Sequence, residues 1–372
     1  MEESILKTLE DNFSETYWIK IYNNNEFPHD FFYFLGSHKL FGYIVSKENN
    51  GLGKSLAELT QLVYEVSKIS GFATYLLLAQ NLVAKMCEEN CHNDIKKELL
   101  SKIIRGENKI SLALTEEECG NDALCIKSSA LEINGSFLLN GKKDYVTNAD
   151  LVDYIIIAAR TSYDENKRSY GITLFLTDIE KLRKNGRFIK LHKMGLDFLS
   201  LYTIYFNDFK IDKKYILGEQ NNGWNIIVKY FNWDKLLLAA MFVGIGEKAL
   251  DIAIKYSKQR KVFDKIIGSY QGIQFPLAEA HINLVAAKAL INQAKEYPDD
   301  IDLVFSAYYT ALNAASQAID TSLQVLGAKG YLKNSLIEKF YRDIRYYKIG
   351  PLSKELLLAN IAYRVLGLPK SY

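Results

Sequence analysis

Apolar residues recur at every third or fourth position in two long parts of the chain, and at every second position in the part between them. In the first part, helical spacing covers residues 5–9, 31–40, 55–86 and 95–104. This spacing predicts amphipathic helices separated by short turns. We therefore expect an N-terminal helical domain over residues 1–108.

Alternation replaces the helical spacing from residue 109 to about residue 216, in strings such as ISLALT, YIIIAART and LYTIYFNDFKI. Asn-Gly pairs at Asn134-Gly135 and Asn140-Gly141 are typical of tight hairpin turns. The pattern predicts a middle antiparallel β domain over residues 109–222, built as a barrel or a sandwich.

Helical spacing returns at residue 224 and predicts one long helix over residues 224–263, followed by helices over 271–297, 301–326, 335–347 and 353–366. Small residues in the middle of the long helix, including Ala240 and Gly244, allow another helix to approach closely. Long helices with short connections form bundles. The third domain, residues 223–372, is therefore predicted to be a four-helix bundle, and the fold class is α+β.

Composition narrows the function classes further. The 372 residues are 48% hydrophobic with a formal net charge of +2, which gives no reason to expect nucleic-acid or membrane partners. An acidic, polar N-terminus and four cysteines suit a cytoplasmic protein. Cys87, Cys91 and His92 lie close together without a second ligand pair, so no metal site is predicted. The chain has no GxGxxG, P-loop, HExxH or GxSxG string.

Four strings carry the candidate chemistry, and they occur in the order LALTEEECGND (112–122), NGKKDYVTNAD (140–150), RKVFDKIIGSYQGIQFPLAE (260–279) and QVLGAKGYLKNSLIEKFYRDIR (324–345). With these strings, the chain resembles the acyl-CoA dehydrogenase family of flavoproteins over residues 31–366. The resemblance implies that family's three-domain fold, FAD as cofactor, and a homodimer or homotetramer that shares the cofactor site between subunits.

The resemblance also implies the cofactor contacts. Leu114 and Thr115 correspond to residues at the flavin pyrimidine edge, Tyr145 to an aromatic over the flavin face, and Thr147 to a hydroxyl at flavin N5. The remaining implied contacts are Arg260, Phe263 and Gln271 at the diphosphate and adenosine across a subunit interface, the turn residues Gln324, Gly327 and Gly330, and Ser353. Taken alone, Thr115 would sit in a polar turn and Thr147 in an ordinary strand. Arg342 and Asp343 are interpreted as an internal ion pair.

Desaturation of a thioester needs a carboxylate that takes the α-proton while the β-hydride goes to the flavin. The family usually carries a Glu in a YEGT loop, but the matching string KIGPLSKE has Pro351 there. The isovaleryl and long-chain branch carries its base on the long helix, where FNWDKLL places Asp234. The alternatives are that Asp234 only pairs with Lys235 or another cation, or that Glu355 is the base.

Asn121, Phe231 and Lys235 correspond to substrate-side positions, and Asn121 replaces a Ser that holds the thioester arm. We therefore expect FAD-dependent α,β-desaturation of an acyl thioester bound to CoA or to an acyl or peptidyl carrier protein, with an electron-accepting flavoprotein as partner. Two other hypotheses stay open at this point. One is a flavin-dependent oxidase or monooxygenase, and the other is a non-catalytic flavin-binding homologue.

Overall fold

A computed structural model describes residues 2–370 of the chain, beginning with a helical region. Its helices are α1 (Glu2–Asn12), α2 (Glu15–Asn24), α3 (His29–Ser37), α4 (Leu56–Ser70), α5 (Tyr75–Asn90) and α6 (Asn93–Ile104). Ser55 caps α4 in a capping box, in which its hydroxyl accepts from the Glu58 N–H and Glu58 reaches back to the Ser55 N–H.

The middle region is one twisted sheet. Its elements are β1 (Ile110–Ala113), β2 (Ser129–Ile133), β3 (Ser136–Thr147), β4 (Tyr154–Arg160), β5 (Ile172–Asp178), the short helix α7 (Ile179–Asn185), β6 (Gly186–Lys190), β7 (Leu201–Asp212) and β8 (Ile216–Leu217). The strand order is β6-β7-β3-β2-β4-β5-β8, with β1 paired to β4. Most pairs are antiparallel, while β1 runs parallel to β4.

The C-terminal region is a helical bundle. It contains α8 (Gly223–Ser257), a small hairpin of β9 (Lys261–Val262) and β10 (Lys265–Ile266), then α9 (Gln271–Ala294), α10 (Ile301–Leu326), α11 (Ala328–Tyr331), α12 (Leu336–Tyr347) and α13 (Lys354–Arg364). The order of helices, sheet and bundle confirms the predicted fold class.

The long helix α8 lies at the centre of the molecule and contacts α4, α5, α9 and α10. Gly244 explains the close approach to α4, because a Cβ there would lie 2.0 Å from Ser67 Oγ and 2.5 Å from the Tyr64 carbonyl oxygen. One hydrophobic core therefore joins N-terminal and C-terminal helices, as Leu77 and Phe242 illustrate. A second, smaller core around Phe137 and Phe175 fills one face of the sheet.

Two predicted helices end differently in the structure. The long helix stops at Ser257 rather than at residue 263, because the chain turns into the β9–β10 hairpin. The segment 55–86 is not one helix. Gly71, at φ 55°, ends α4, and a short 3-10 turn precedes α5. Helix α2 was not among the predicted segments.

The stretch Leu56–Asn90 contains an 18-residue window with the apolar composition of a membrane span, with a mean hydropathy of 1.2, but 72% of that window is buried inside the protein. These are features of a core helix pair. Among the cysteines, Cys119 and Cys125 form a disulfide, whereas Cys87 and Cys91 are buried free thiols. The disulfide was not expected from the sequence.

Candidate active site

Asp234 lies on α8 as a half-buried carboxylate. It makes no ion pair or hydrogen bond with any of the residues 2–370. Burial raises the pKa of Asp234 well above its usual value, and the charge of Lys235 offsets part of that rise. A carboxylate with these properties can exchange a proton near neutrality.

Lys235 follows Asp234 on α8 but does not pair with it. Its Nζ donates to the Phe231 carbonyl oxygen at 3.0 Å and lies 5.2 Å from the centroid of the Phe305 ring. Burial lowers the pKa of Lys235, and Asp234 partly counteracts this. The alternative in which Asp234 merely forms a salt bridge with Lys235 is therefore wrong for this structure.

The charge of Asp234 acts on tyrosines from three helices: Tyr75 at the start of α5, Tyr308 on α10, and Tyr346 and Tyr347 on α12. Burial raises the pKa of each phenol, and the charge of Asp234 adds to the rise in all four. Sequence spacing placed each tyrosine on a helix. It gave no signal that the three helices bring them to one place.

The flavin-edge candidates Leu114 and Thr115 follow β1 and are held by a buried ion pair. Lys143 on β3 donates to the Leu114 carbonyl oxygen at 3.0 Å and to Glu116 Oε1 at 2.7 Å. The Thr115 carbonyl oxygen accepts from the Asp144 N–H at 2.8 Å. Lys143 could have been found from sequence, because alternation along β3 places it on the buried face with Phe137 and Leu139.

Tyr145 and Thr147 lie at the end of β3, where the pairing with β7 shifts between Lys143 and Val146. At this irregularity Tyr145 takes a φ of 58° and is 60% exposed, whereas Thr147 is half-buried. A bulge re-aims side chains in this way. It leaves an aromatic ring standing on the surface beside the strand end.

The hydroxyls of Thr115 and Thr147 are available to bond an isoalloxazine edge. Both side chains are half-buried, and within residues 2–370 neither hydroxyl has a hydrogen-bond partner. The Asp144 bond to Thr115 keeps the two strand ends adjacent. Half-buried hydroxyls can bond water or a ligand, and a flavin edge offers both donors and acceptors.

The diphosphate candidates are solvent-exposed. Phe263 is 89% exposed and occupies, with Asp264, the turn of the β9–β10 hairpin, where both residues have positive φ. A bulky residue in this conformation is an outlier that often marks a functional site. Arg260 and Gln271 are exposed beside the hairpin. Among residues 2–370 of one chain, no hydrogen bond or ion pair joins these three residues to Thr147.

The glycine-rich turn directly follows the C-terminal end of the bundle helix α10. Gly327 has φ 57° and open space around its Cα, while Gly330 is buried against Leu323 and Leu326. Gln324 is exposed on the last turn of α10. Ser353 is buried, and its hydroxyl caps α13 by accepting from the Leu356 N–H at 3.2 Å.

The segment before α13 contains no carboxylate that replaces the expected loop base. Pro351 is exposed, and Glu355 is exposed in the first turn of α13. Arg342 and Asp343 are internal but do not pair with each other, which corrects the sequence interpretation. Arg342 pairs with Asp197 and Glu338, whereas Asp343 accepts from the Tyr22 hydroxyl at 2.7 Å and from the Leu196 N–H.

Asn121, the candidate for the thioester arm, is exposed in a loop between Cys119 and Cys125. Glu116 holds the far end of this loop, because its carboxylate accepts from the N–H groups of Lys127 and Ser128. Two interactions therefore close the loop: the disulfide and the hydrogen bonds of Glu116. Neither closure was predicted from the sequence.

Family models for the acyl-CoA dehydrogenase N-terminal, middle and C-terminal domains match residues 2–107, 111–209 and 221–366. The chain belongs to the acyl-CoA dehydrogenase family. It is accordingly a flavoenzyme of the class that acts on CH–CH bonds, with FAD as its cofactor. The family predicted from the four sequence strings is confirmed.

Two curated relatives and one solved structure are similar over nearly the whole acyl-CoA dehydrogenase chain. A 3-(aryl)acrylate reductase of Clostridium sporogenes is 33% identical, with 92% of this chain and 91% of the relative covered. The caffeyl-CoA reductase-Etf complex subunit CarC of Acetobacterium woodii is 31% identical, with coverage of 89% and 88%. Glutaryl-coenzyme A dehydrogenase in complex with glutaryl-CoA has a TM-score of 0.90 at 26% identity, covering 100% of this chain and 96% of that one.

Proposed function

We propose that this flavoenzyme catalyses α,β-desaturation of an acyl thioester and that Asp234 is the base that takes the α-proton. The supporting observation is the unpaired, half-buried carboxylate of Asp234 on α8. A buried carboxylate whose pKa is raised can accept a proton at neutral pH and release it again after turnover.

Other groups of the chain bind and orient the reactants. Thr147 and the Leu114–Thr115 strand end hold the flavin edge, and Tyr145 covers its face. When bound, FAD supplies the acceptor for the β-hydride. Pro351 has no N–H to donate to the thioester oxygen, so the thioester arm depends on the Asn121 loop.

Arg260, Phe263 and Gln271 hold the diphosphate end of a cofactor bound mainly by a second copy of the chain. Their exposure in the single chain supports this arrangement, because it leaves these side chains accessible to a cofactor that is held by a neighbouring subunit. The enzyme is therefore a homodimer or a homotetramer. The acyl group is carried by CoA or by a carrier protein.

A second candidate is the reverse reaction, reduction of an aryl-substituted α,β-unsaturated thioester. The names of the two relatives described above favour it, since one is a 3-(aryl)acrylate reductase and the other a subunit of a caffeyl-CoA reductase. In this direction Asp234 donates the proton to the α-carbon. The Etf complex in the name of one relative supports an electron-transferring flavoprotein as the redox partner.

Anaerobic titration of the holoenzyme tests the function. Saturated CoA and carrier-protein thioesters are expected to bleach the oxidised flavin, and unsaturated aryl thioesters to reoxidise the reduced flavin. Asp234→Asn should slow both reactions by about 10²–10⁴-fold. Asp251→Asn is the matched control, because Asp251 is an exposed acid on the same helix.

Each alternative has its own outcome. An unchanged rate in Asp234→Asn would transfer the base assignment to Glu355, which Glu355→Gln then tests. Rapid peroxide formation or a hydroxylated product in air would favour the oxidase or monooxygenase. A flavin that no thioester bleaches and no enoyl thioester reoxidises would identify a non-catalytic homologue.

A further inference from the structure

A small cavity lies between α10 and the segment that joins α12 to α13. Its volume is about 70 Å³. Helix α10 contributes Tyr308 and Asn313 among others, and residues 348–357 contribute the rest of the lining. Asp234 is not one of the lining residues, so the cavity is a second candidate for ligand binding besides the candidate active site.

Polar side chains with unused hydrogen-bonding capacity line this cavity. Within residues 2–370, no hydrogen bond or ion pair engages the side chains of Tyr308, Asn313, Lys348 and Lys354. Tyr308 is 1% exposed, and its ring packs edge-on against Phe242 with 5.6 Å between the ring centroids. A buried hydroxyl without a partner is rare and destabilises a protein, so this hydroxyl favours an occupied cavity.

The charge around the cavity is positive. Two lysines line it, and none of its lining residues is an Asp or a Glu. Burial lowers the pKa of Lys348, and the charges of Arg345 and Lys354 lower it further, while Asp320 acts in the opposite direction. Helix α13 begins at Lys354, and a helix N-terminus adds partial positive charge. An anion would therefore be attracted to this cavity.

Size and apolar lining narrow the kind of anion. A cavity of about 70 Å³ holds about five to seven water-sized groups, which excludes a nucleotide or a CoA ester. Leu312, Leu352 and Leu357 form its apolar wall. Inorganic phosphate would lose its hydration against these leucines without compensation, whereas a carboxylate with a short alkyl tail would place the tail there.

We propose that the cavity binds a short-chain monocarboxylate, with its carboxylate held by Lys348, Lys354 and the Tyr308 hydroxyl. Two ammonium groups and a phenol can all donate to the lone pairs of a carboxylate, which makes hydrogen bonds assisted by charge. The proposal does not depend on the reaction at Asp234, because binding at this cavity is measured without turnover.

The test is calorimetry of the FAD-loaded enzyme with three probes. Butanoate is the expected ligand, butanamide has nearly the same shape without the charge, and inorganic phosphate has the charge without the alkyl tail. We expect butanoate to bind about tenfold more tightly than either of the other two, because only butanoate satisfies both the lysines and the leucines.

Variants of the lining locate the bound carboxylate. Lys348→Met, Lys354→Met and Tyr308→Phe should each weaken butanoate binding by about tenfold. Lys354 is exposed, so its variant keeps the test valid if a buried substitution impairs folding. Lys329→Met is the matched control and should bind butanoate like the wild type, because Lys329 is an exposed residue of α11 outside the lining. FAD content and melting temperature show that each variant is folded.

Butanoate bound beside Asp234 would give a different pattern. It would bind more tightly in Asp234→Asn, because the repulsion between two carboxylates is lost, and it would not respond to Lys348→Met or Lys354→Met. That pattern overturns the proposal. Equal affinity for butanamide, tighter binding of phosphate, or butanoate binding that none of the three lining variants weakens would overturn it as well.

Discussion

Lys143 and Glu116 form a buried ion pair in which Lys143 Nζ lies 2.7 Å from Glu116 Oε1, directly beneath the strand end that carries Thr115. The lysine is fully buried, and burial lowers its pKa to about 8 although Glu116 pulls in the opposite direction. The pair fixes two chain segments at once, because Lys143 also bonds the Leu114 carbonyl oxygen.

Lys143→Met should destabilise the protein by about 3–5 kcal/mol, since it leaves the Glu116 carboxylate buried without a counter-charge. Urea unfolding measures the loss, and the FAD retained after gel filtration should fall because Leu114 and Thr115 lose their support. The double variant Lys143→Met/Glu116→Gln should recover part of the stability. A cost below about 1 kcal/mol for the single variant would contradict this role.

Lys235 lowers the pH at which Asp234 ionises. Its positive charge opposes the rise in the pKa of Asp234 caused by burial, so Lys235→Met should raise that pKa further. The ionised base is the active form in desaturation, and the rate therefore increases with pH through the pKa of Asp234. In the variant, this increase of the rate with pH should occur at higher pH, as measured by anaerobic stopped-flow reduction of the flavin.

The control for this experiment is Lys229→Met on the same helix. Lys229 pairs with Glu89 and does not act on Asp234, so its pH profile should match that of the wild type. An unchanged pH dependence of the rate in Lys235→Met would show that the charge of Lys235 does not affect the pKa of the base.

Gly244 is required for the contact between α8 and α4. In Gly244→Ala the new Cβ would clash with Ser67 Oγ and with the Tyr64 carbonyl oxygen, and the overpacking should cost about 1–3 kcal/mol. Adding Ser67→Ala removes one of the two clashing atoms and should restore part of the loss in thermal or urea unfolding. Equal stability of Gly244→Ala and wild type would mean that the helices separate without penalty.

The disulfide between Cys119 and Cys125 predicts a specific thiol count. Two thiols, those of Cys87 and Cys91, should react in the unfolded, unreduced protein, and four after reduction. Cys125→Ser should raise KM for the thioester more than it changes kcat, because Asn121 lies within the loop that the disulfide closes. Four reactive thiols without reduction would exclude the bond.

The sequence predicted the elements that depend on local spacing and missed those that depend on distant partners. Periodicity alone separated the helical regions from the sheet. The end of α8 at Ser257 was missed, because the residues after it are compatible with a helix and only the hairpin that follows breaks it. Glu338 lies four residues before Arg342 and could have been recognised as its partner, whereas Asp197 could not.

The candidate site follows the same rule. Asp234 was proposed as the base because it lies within a recognisable string. Lys143 lies within another such string but was not singled out from the sequence. The grouping of Tyr75, Tyr308 and Tyr346 depends on how three helices are placed around α8. That placement is decided by packing of side chains far apart in sequence, which periodicity does not report.

The hydrogen bond from Tyr22 to Asp343 joins residues 321 positions apart, and the same core contains helices from both ends of the chain. During synthesis on the ribosome, the first helices consequently emerge long before the residues that cover them. Their apolar faces remain uncovered until α8 to α12 have been translated. Nascent chains of this protein should therefore depend on chaperones until translation is nearly complete.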